Sequence, residues 1–173
     1  MLSDTGQHRL YAYADFFEQH RRRALRLAFV MCGDATEAED VVAESFAKMY
    51  PAWQKGQVQE PAAYLRRTIA NHIRGSWRHN DVVRRNDARV KVMWSQESPG
   101  HDEALVARDA VSAALASLPP KQRAVVALRY LEDLSEAETA SILDISVGTV
   151  KAHASRGLDR LREVLRKQRS EEA

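Results

Sequence analysis

With 173 residues, of which 45% are hydrophobic and 29% charged, the chain suffices for one globular domain or two small ones and is too apolar for a disordered polymer. Glycine (7) and proline (5) are scarce, no apolar run approaches the roughly 18 residues that a spanning helix needs, and the first residues lack the basic-then-apolar layout of a secretion signal. A single cysteine, Cys32, excludes an internal disulfide and a cysteine-based zinc site, so the composition predicts a cytoplasmic, helical protein.

The net charge of +2 hides alternating blocks. Residues 1–60 carry 7 basic and 9 acidic side chains, residues 61–91 carry 8 and 2, residues 92–145 carry 4 and 9, and residues 146–173 carry 7 and 4. Two separate basic blocks are either two surfaces for an anionic polymer or the solvated faces of arginine-rich helices.

Periodicity predicts a first helix from Tyr11 to Met31, with Phe17, Leu25, Ala28, Phe29 and Cys32 on one face and Gly33 as its stop. Asp34 is placed to cap a second helix, with Glu37 at capping-box spacing. Its apolar stripe is Ala38, Val41, Val42, Ser45, Phe46, Met49 and Tyr50; Glu37, Asp40, Glu44 and Lys48 lie opposite. Pro51 reads as the end of this helix and Trp53–Glu60 as a polar loop. Pro61 can open a third helix, in which Leu65, Ile69, Ile73 and Trp77 line up while Arg66, Arg67, Asn71, Arg74 and Arg78 fill much of the rest. The rhythm fades after His79, and Asp81–Asp102 reads as a linker with an apolar cluster of Val90, Val92, Met93 and Trp94. A helix returns over Ala104–Leu118, with Ala107, Val111, Ala114, Leu115 and Leu118 inward. Pro119 and Pro120 end it and begin another that runs to Leu131. Ser135 and Glu138 form a capping box for a short helix to Leu143. Ser146 caps a last helix to about Gln168, with Val147, Val150, Ala154, Leu158, Leu161 and Leu165 inward. No segment alternates with period two, so the expected fold is all-α: two small helical domains joined by a flexible linker.

Ser135–Leu143, a turn at Asp144 and Ile145, and the helix from Ser146 have the layout of a helix-turn-helix, whose second helix enters the DNA major groove. Thr149, Lys151, Ala152, Ser155 and Arg156 then fall on the outer face. Lys151 and Arg156 suit phosphates or guanine edges, the small residues permit close approach, and the Ser146 cap leaves backbone N–H groups near a phosphate. An ordinary helical hairpin with a basic side meets the same spacing. His72, His79 and His153 have no paired metal-ligand spacing, and neither a glycine-rich phosphate loop nor a nucleophile elbow is present. Neither metal, cofactor nor enzymatic activity is expected.

Longer runs carry a family resemblance. Ala116–Tyr130 (ASLPPKQRAVVALRY), Leu134–Ala140 (LSEAETA) and Ser146–Lys151 (SVGTVK) resemble the fourth conserved region of sigma factors. Ala38–Phe46 (AEDVVAESF) and Ala63–Asn71 (AYLRRTIAN) resemble the second. Together they identify the chain with extracytoplasmic-function sigma factors, bacterial RNA polymerase subunits that keep only these two domains. Gly75-Ser76-Trp77-Arg78 is similar to a branch frequent in actinobacteria.

The resemblance implies a region 2 domain at 8–80, a linker at 81–103 and a region 4 domain at 104–170. It implies core RNA polymerase, promoter DNA and an anti-sigma factor as partners. Glu39, Asp40, Val41, Glu44 and Phe46 would bind the polymerase clamp. Trp53 and the loop after it would meet a base flipped from the minus-ten element. Arg66, Arg67, Asn71, Arg74, Trp77 and Arg78 would hold the displaced strand, with Trp77 either a stacking platform or part of the Leu65–Ile73 core stripe. Ser146, Thr149, Lys151, Ala152, Ser155 and Arg156 would read the minus-thirty-five element. Three features depart from the family pattern: Asp144 in the tight turn, Gly157 inside the last helix, and a linker that starts basic (Arg84, Arg85, Arg89, Lys91). The competing reading is a helix-turn-helix regulator of the quorum-sensing type, which Thr149–His153 also fits; an adaptor bundle without a DNA role explains the basic blocks poorly.

Overall fold

The computed structural model describes residues 4–80, 111 and 114–171. The expected linker, its Val90–Trp94 cluster and most of the expected helix at 104–118 lie outside the described residues. The chain divides into two compact units, Met1–Asn86 and Asp87–Ala173. All regular structure among the described residues is helical, in keeping with the all-α expectation.

In the first unit, α1 (Asp4–Cys32), α2 (Ala35–Gln54) and α3 (Pro61–Asn80) each pack on the other two. Leu27 and Met31 of α1, Met49 of α2, and Ile69 and Ile73 of α3 are fully buried among them. Helix α1 stops where glycine permits a positive φ: Gly33 has φ 81° and its N–H reaches the Phe29 carbonyl at 2.7 Å. Asp34 then accepts the Glu37 N–H at 2.8 Å and starts α2. The Glu37 carboxylate accepts from Ser76 Oγ at 3.2 Å, tying the start of α2 to the far end of α3.

Two boundaries differ from the expectation. Helix α1 begins at Asp4 rather than Tyr11. Its added turns expose Leu10 and Tyr11, and they are held by polar contacts instead: Arg9 donates to the Gln54 carbonyl, and the Trp53 indole donates to the Arg9 carbonyl at 3.1 Å. Nor does Pro51 end α2, which continues to Gln54. A proline removes one N–H and leaves the turn after it intact. That turn is anchored because Trp53 lies against Tyr13 (5.2 Å between ring centroids) and Phe16 (5.4 Å). Gly56, with φ 68°, closes it.

In the second unit, residues 114–116 are helical and close at Leu118, whose N–H reaches the Leu115 carbonyl at 3.1 Å. Ala114, Leu115 and Leu118 are buried as expected; Val111, expected inward, is 46% exposed, and Ala107 lies outside the described residues. Helix α4 (Pro120–Val126) runs on as a π-helical turn (Ala127–Leu131), with the Glu132 N–H on the Ala127 carbonyl at 3.1 Å. Helices α5 (Glu136–Leu143) and α6 (Val147–Glu171) follow. Asp144 between them is left-handed (φ 54°, ψ 51°), a conformation aspartate tolerates better than most residues.

Gly157 is buried in the middle of α6, and a Cβ there would stand 2.7 Å from Val126 Cγ2 of α4. The glycine is what lets the two helices come so close. Along α6, Val150 is fully buried, while Ala154, Leu158, Leu161 and Leu165 are half-covered. Val147, expected inward, is 40% exposed because it is the first residue of the helix, ahead of the covered section.

Candidate nucleic-acid interface

Helix α2 separates charge from core. Glu39, Asp40 and Glu44 are exposed; Glu44 reaches Lys48 Nζ at 3.4 Å and His72 Nδ1 of α3 at 3.5 Å. Val41 and Phe46, which the motif placed with them as polymerase contacts, are only 3% and 4% exposed. Their burial follows the apolar stripe to which both belong and leaves the exposed part of the motif to the carboxylates. The Phe46 ring meets Phe17 edge-on at 4.7 Å, and its carbonyl accepts from Tyr13 Oη at 2.6 Å. Burial, with Tyr50 adding to it, pushes the Tyr13 hydroxyl up to about 12, so the donor keeps its proton at any ordinary pH.

Helix α3 carries the basic set. Arg67 and Asn71 are exposed, and Arg66 and Arg74 half-buried. Trp77 is also half-buried; its indole N–H is buried with no hydrogen-bond partner among the described residues. That intermediate position leaves the ring between the core stripe and the surface. Arg78 belongs to α3, but its side chain lies outside the described residues. Trp53 stands in the last turn of α2 with its ring on α1, so the polar loop shortens to Lys55–Glu60. Tyr64, an exposed aromatic that follows this loop, was not singled out because its neighbour Leu65 dominates the periodicity.

The helix-turn-helix is capped at both starts. Ser135 Oγ accepts the Glu138 N–H at 3.2 Å, and the Glu138 carboxylate accepts the Ser135 N–H at 2.7 Å. Ser146 Oγ accepts the Thr149 N–H at 3.1 Å and pairs with Thr149 Oγ1 at 2.8 Å. On the outer face of α6, Lys151, Ser155 and Arg156 are exposed, and Thr149 and Ala152 half-buried. Gly148 would offer a Cβ only Ser146 Oγ, at 3.8 Å, so this stretch is open to close approach. Lys151 Nζ lies 3.6 Å from Glu136 Oε2 at the start of α5. His153 is held below its ordinary basicity first by burial, then by the charges of Arg156 and Lys121.

The first unit thus joins an acidic exposed face to a basic helix, and the second presents a small-residue surface flanked by cations. Among the described residues no group of three or more His, Cys, Asp and Glu is placed to hold a metal, and no helix is long and apolar enough to cross a membrane.

Comparison with known proteins supports the family resemblance. The sigma-70 region 2 family matches residues 16–82, and the sigma-70 region 4 family matches residues 108–161. The RNA polymerase sigma-E factor of Streptomyces coelicolor is 35% identical over 156 residues, which cover 88% of this chain and 85% of that one. The ECF RNA polymerase sigma factor SigW of Bacillus subtilis is 29% identical, covering 90% and 89%. Among solved structures, the sigma factor RpoE of Bartonella quintana, in complex with the anti-sigma factor NepR, shares the fold with a TM-score of 0.68 at 21% identity, covering 88% of this chain and 97% of that one.

Proposed function

The chain belongs to the sigma-70 family, as an RNA polymerase sigma factor of the extracytoplasmic-function type, and from that membership we propose how its residues divide the work of initiation. A factor of this type binds core RNA polymerase and directs promoter recognition, melting and transcription initiation. The chemistry of RNA synthesis belongs to the core enzyme; this chain supplies binding surfaces, in the cytoplasm, and no catalytic group. The reading as a quorum-sensing regulator is not favoured, because the N-terminal unit is a region 2 helical bundle.

In this reading residues 8–80 form the core-binding and melting domain, 81–103 the linker, and 104–170 the upstream-element domain. Glu39, Asp40 and Glu44 meet a basic surface of the polymerase, and Val41 and Phe46 serve them from the buried side of α2, Phe46 by packing on Phe17 of α1. Arg66, Arg67, Asn71, Arg74, Trp77 and Arg78 hold the displaced strand of the minus-ten element, with Trp53 shaping the loop that takes the flipped base. Ser146, Thr149, Lys151, Ala152, Ser155 and Arg156 face the minus-thirty-five duplex. An anti-sigma factor covering these DNA-facing surfaces is the expected regulator, a proposal supported by the structural neighbour RpoE, seen in complex with the anti-sigma factor NepR.

The observation that carries the division is α3: one helix combines arginines, Asn71 and a Trp77 ring that its own core leaves partly uncovered. Permanganate footprinting of the holoenzyme tests it. Trp77→Ala is expected to lower thymine reactivity in the melted region while duplex binding persists, a lost stack being worth roughly 1–3 kcal/mol. Equal reactivity in variant and wild type assigns Trp77 to the core instead.

A further inference from the structure

His153 stands half-buried on α6 with Nδ1 buried and without a hydrogen-bond partner among the described residues. Lys121, in the first turn of α4, and Arg156, almost one turn along α6, are both exposed, and both act electrostatically on the imidazole. The helices cross closely at this point: at Gly157 a Cβ would meet Gln122 Cβ and the Gln122 carbonyl at 3.8 Å as well as Val126. Lys121 adjoins Gln122 and Arg156 adjoins Gly157, so the two cations flank the same crossing. Arg156 is three residues from His153 and four from Ala152, which puts it between the α4 side of the helix and the base-facing side. Of the other charged groups on the elements packed against α6, Arg123 of α4 is buried in the core. Glu136 of α5 faces Lys151, two residues from His153 and round the helix from it, and Arg129 of the π turn donates to the Leu134 carbonyl.

We propose that Lys121, His153 and Arg156 together seat one backbone phosphate of the upstream duplex, and that seating it takes up a proton on His153. The inference rests on the reading of α6 as the helix that faces the minus-thirty-five element. Without DNA, burial and two positive neighbours keep the imidazole neutral. A phosphate between the cations reverses the local field and offers an acceptor, so the ring takes a proton from solvent and becomes a third cation on the same anion. The free site binds protons more weakly than the DNA-bound site. Binding therefore tightens as pH falls through the bound-state value and stops tightening below the free-state value.

The test uses holoenzyme formed with the full chain and a duplex selected by that holoenzyme from a random library, with affinity measured from pH 8 to pH 6 at several salt concentrations. Wild-type affinity is expected to rise as pH falls, by at most about tenfold per pH unit, the limit for one proton. His153→Asn should flatten the rise at the weak end, and His153→Arg, whose charge is fixed, should flatten it at the tight end. Lys121→Ala should lower the salt slope by about one unit. Parallel pH profiles in all variants, or an unchanged salt slope in Lys121→Ala, would overturn the proposal. Inorganic phosphate exchanged for chloride at equal ionic strength should compete for the seat and loosen wild type more than Lys121→Ala; equal effects on both would also overturn it. A holoenzyme that selects no upstream element refutes instead the reading of α6 on which the proposal stands.

Discussion

Replacing Gly157 by alanine sets two rules of helix energetics against each other. In an exposed helix interior the change stabilises by about 1 kcal/mol, because glycine costs backbone entropy. Here the new Cβ would lie 2.7 Å from Val126 Cγ2, well inside contact distance. Val126 is 4% exposed and β-branched, so its methyl groups cannot swing away as a flexible chain end would. Relief requires α4 and α6 to part, and overpacking of this kind costs typically about 1–3 kcal/mol. The expected net effect is a loss of about 1 kcal/mol. Hydrogen exchange of the α4 and α6 amides is the appropriate readout, because a chain of two units need not unfold in one step. In a Val126→Ala background the clash is gone, and Gly157→Ala should stabilise by up to about 1 kcal/mol, a reversal of sign that defines the coupling. Stabilisation by Gly157→Ala with Val126 in place would refute the close-approach argument.

Three further outcomes are expected. Asp40→Arg should weaken co-purification with core polymerase while leaving the fold intact, since charge reversal on an exposed helix face disturbs only a complementary partner; unchanged co-purification would remove this face from the interface. Ser135→Ala should cost α5 about 1 kcal/mol of local stability by removing the capping box, and Ser135→Gly only a few tenths; hydrogen exchange within Glu136–Leu143 distinguishes them. Tyr13 keeps its proton to about 12 in the folded chain and to about 10 unfolded, so the unfolded state deprotonates first and stability should fall between those values. Denaturation midpoints from pH 9 to pH 12 check this, with Tyr13→Phe expected to show a shallower decline.

Cap chemistry was readable from the sequence because it is local. Asp34, Ser135 and Ser146 each bind an N–H three residues ahead, and each does so in the structure. The stripes of α2 and α3 were readable for a similar reason, their burial recurring at the helical period. What escaped depends on partners distant in the chain. The early turns of α1 and the turn after Pro51 are held by Arg9, Gln54 and Trp53 across more than forty residues, and hydrogen bonds leave no period. Val41 and Phe46 were legible as stripe residues and are buried; their grouping with the polymerase contacts came from a motif of consecutive residues, which wraps the whole helix, core side included. Gly157, a departure from the family pattern in the sequence, finds its reason only in Val126 opposite it. The approach of Lys121 to His153 exists only once α4 and α6 cross.

The central claim, that this chain programs RNA polymerase through two helical units, is tested most directly by run-off transcription with purified core polymerase on duplexes selected by the holoenzyme. The account predicts a discrete transcript that requires the chain, is lost with Asp40→Arg at limiting concentration, and weakens when either the minus-thirty-five or the minus-ten element is scrambled. Transcription indifferent to the chain, or a transcript that survives scrambling of both elements, would contradict it.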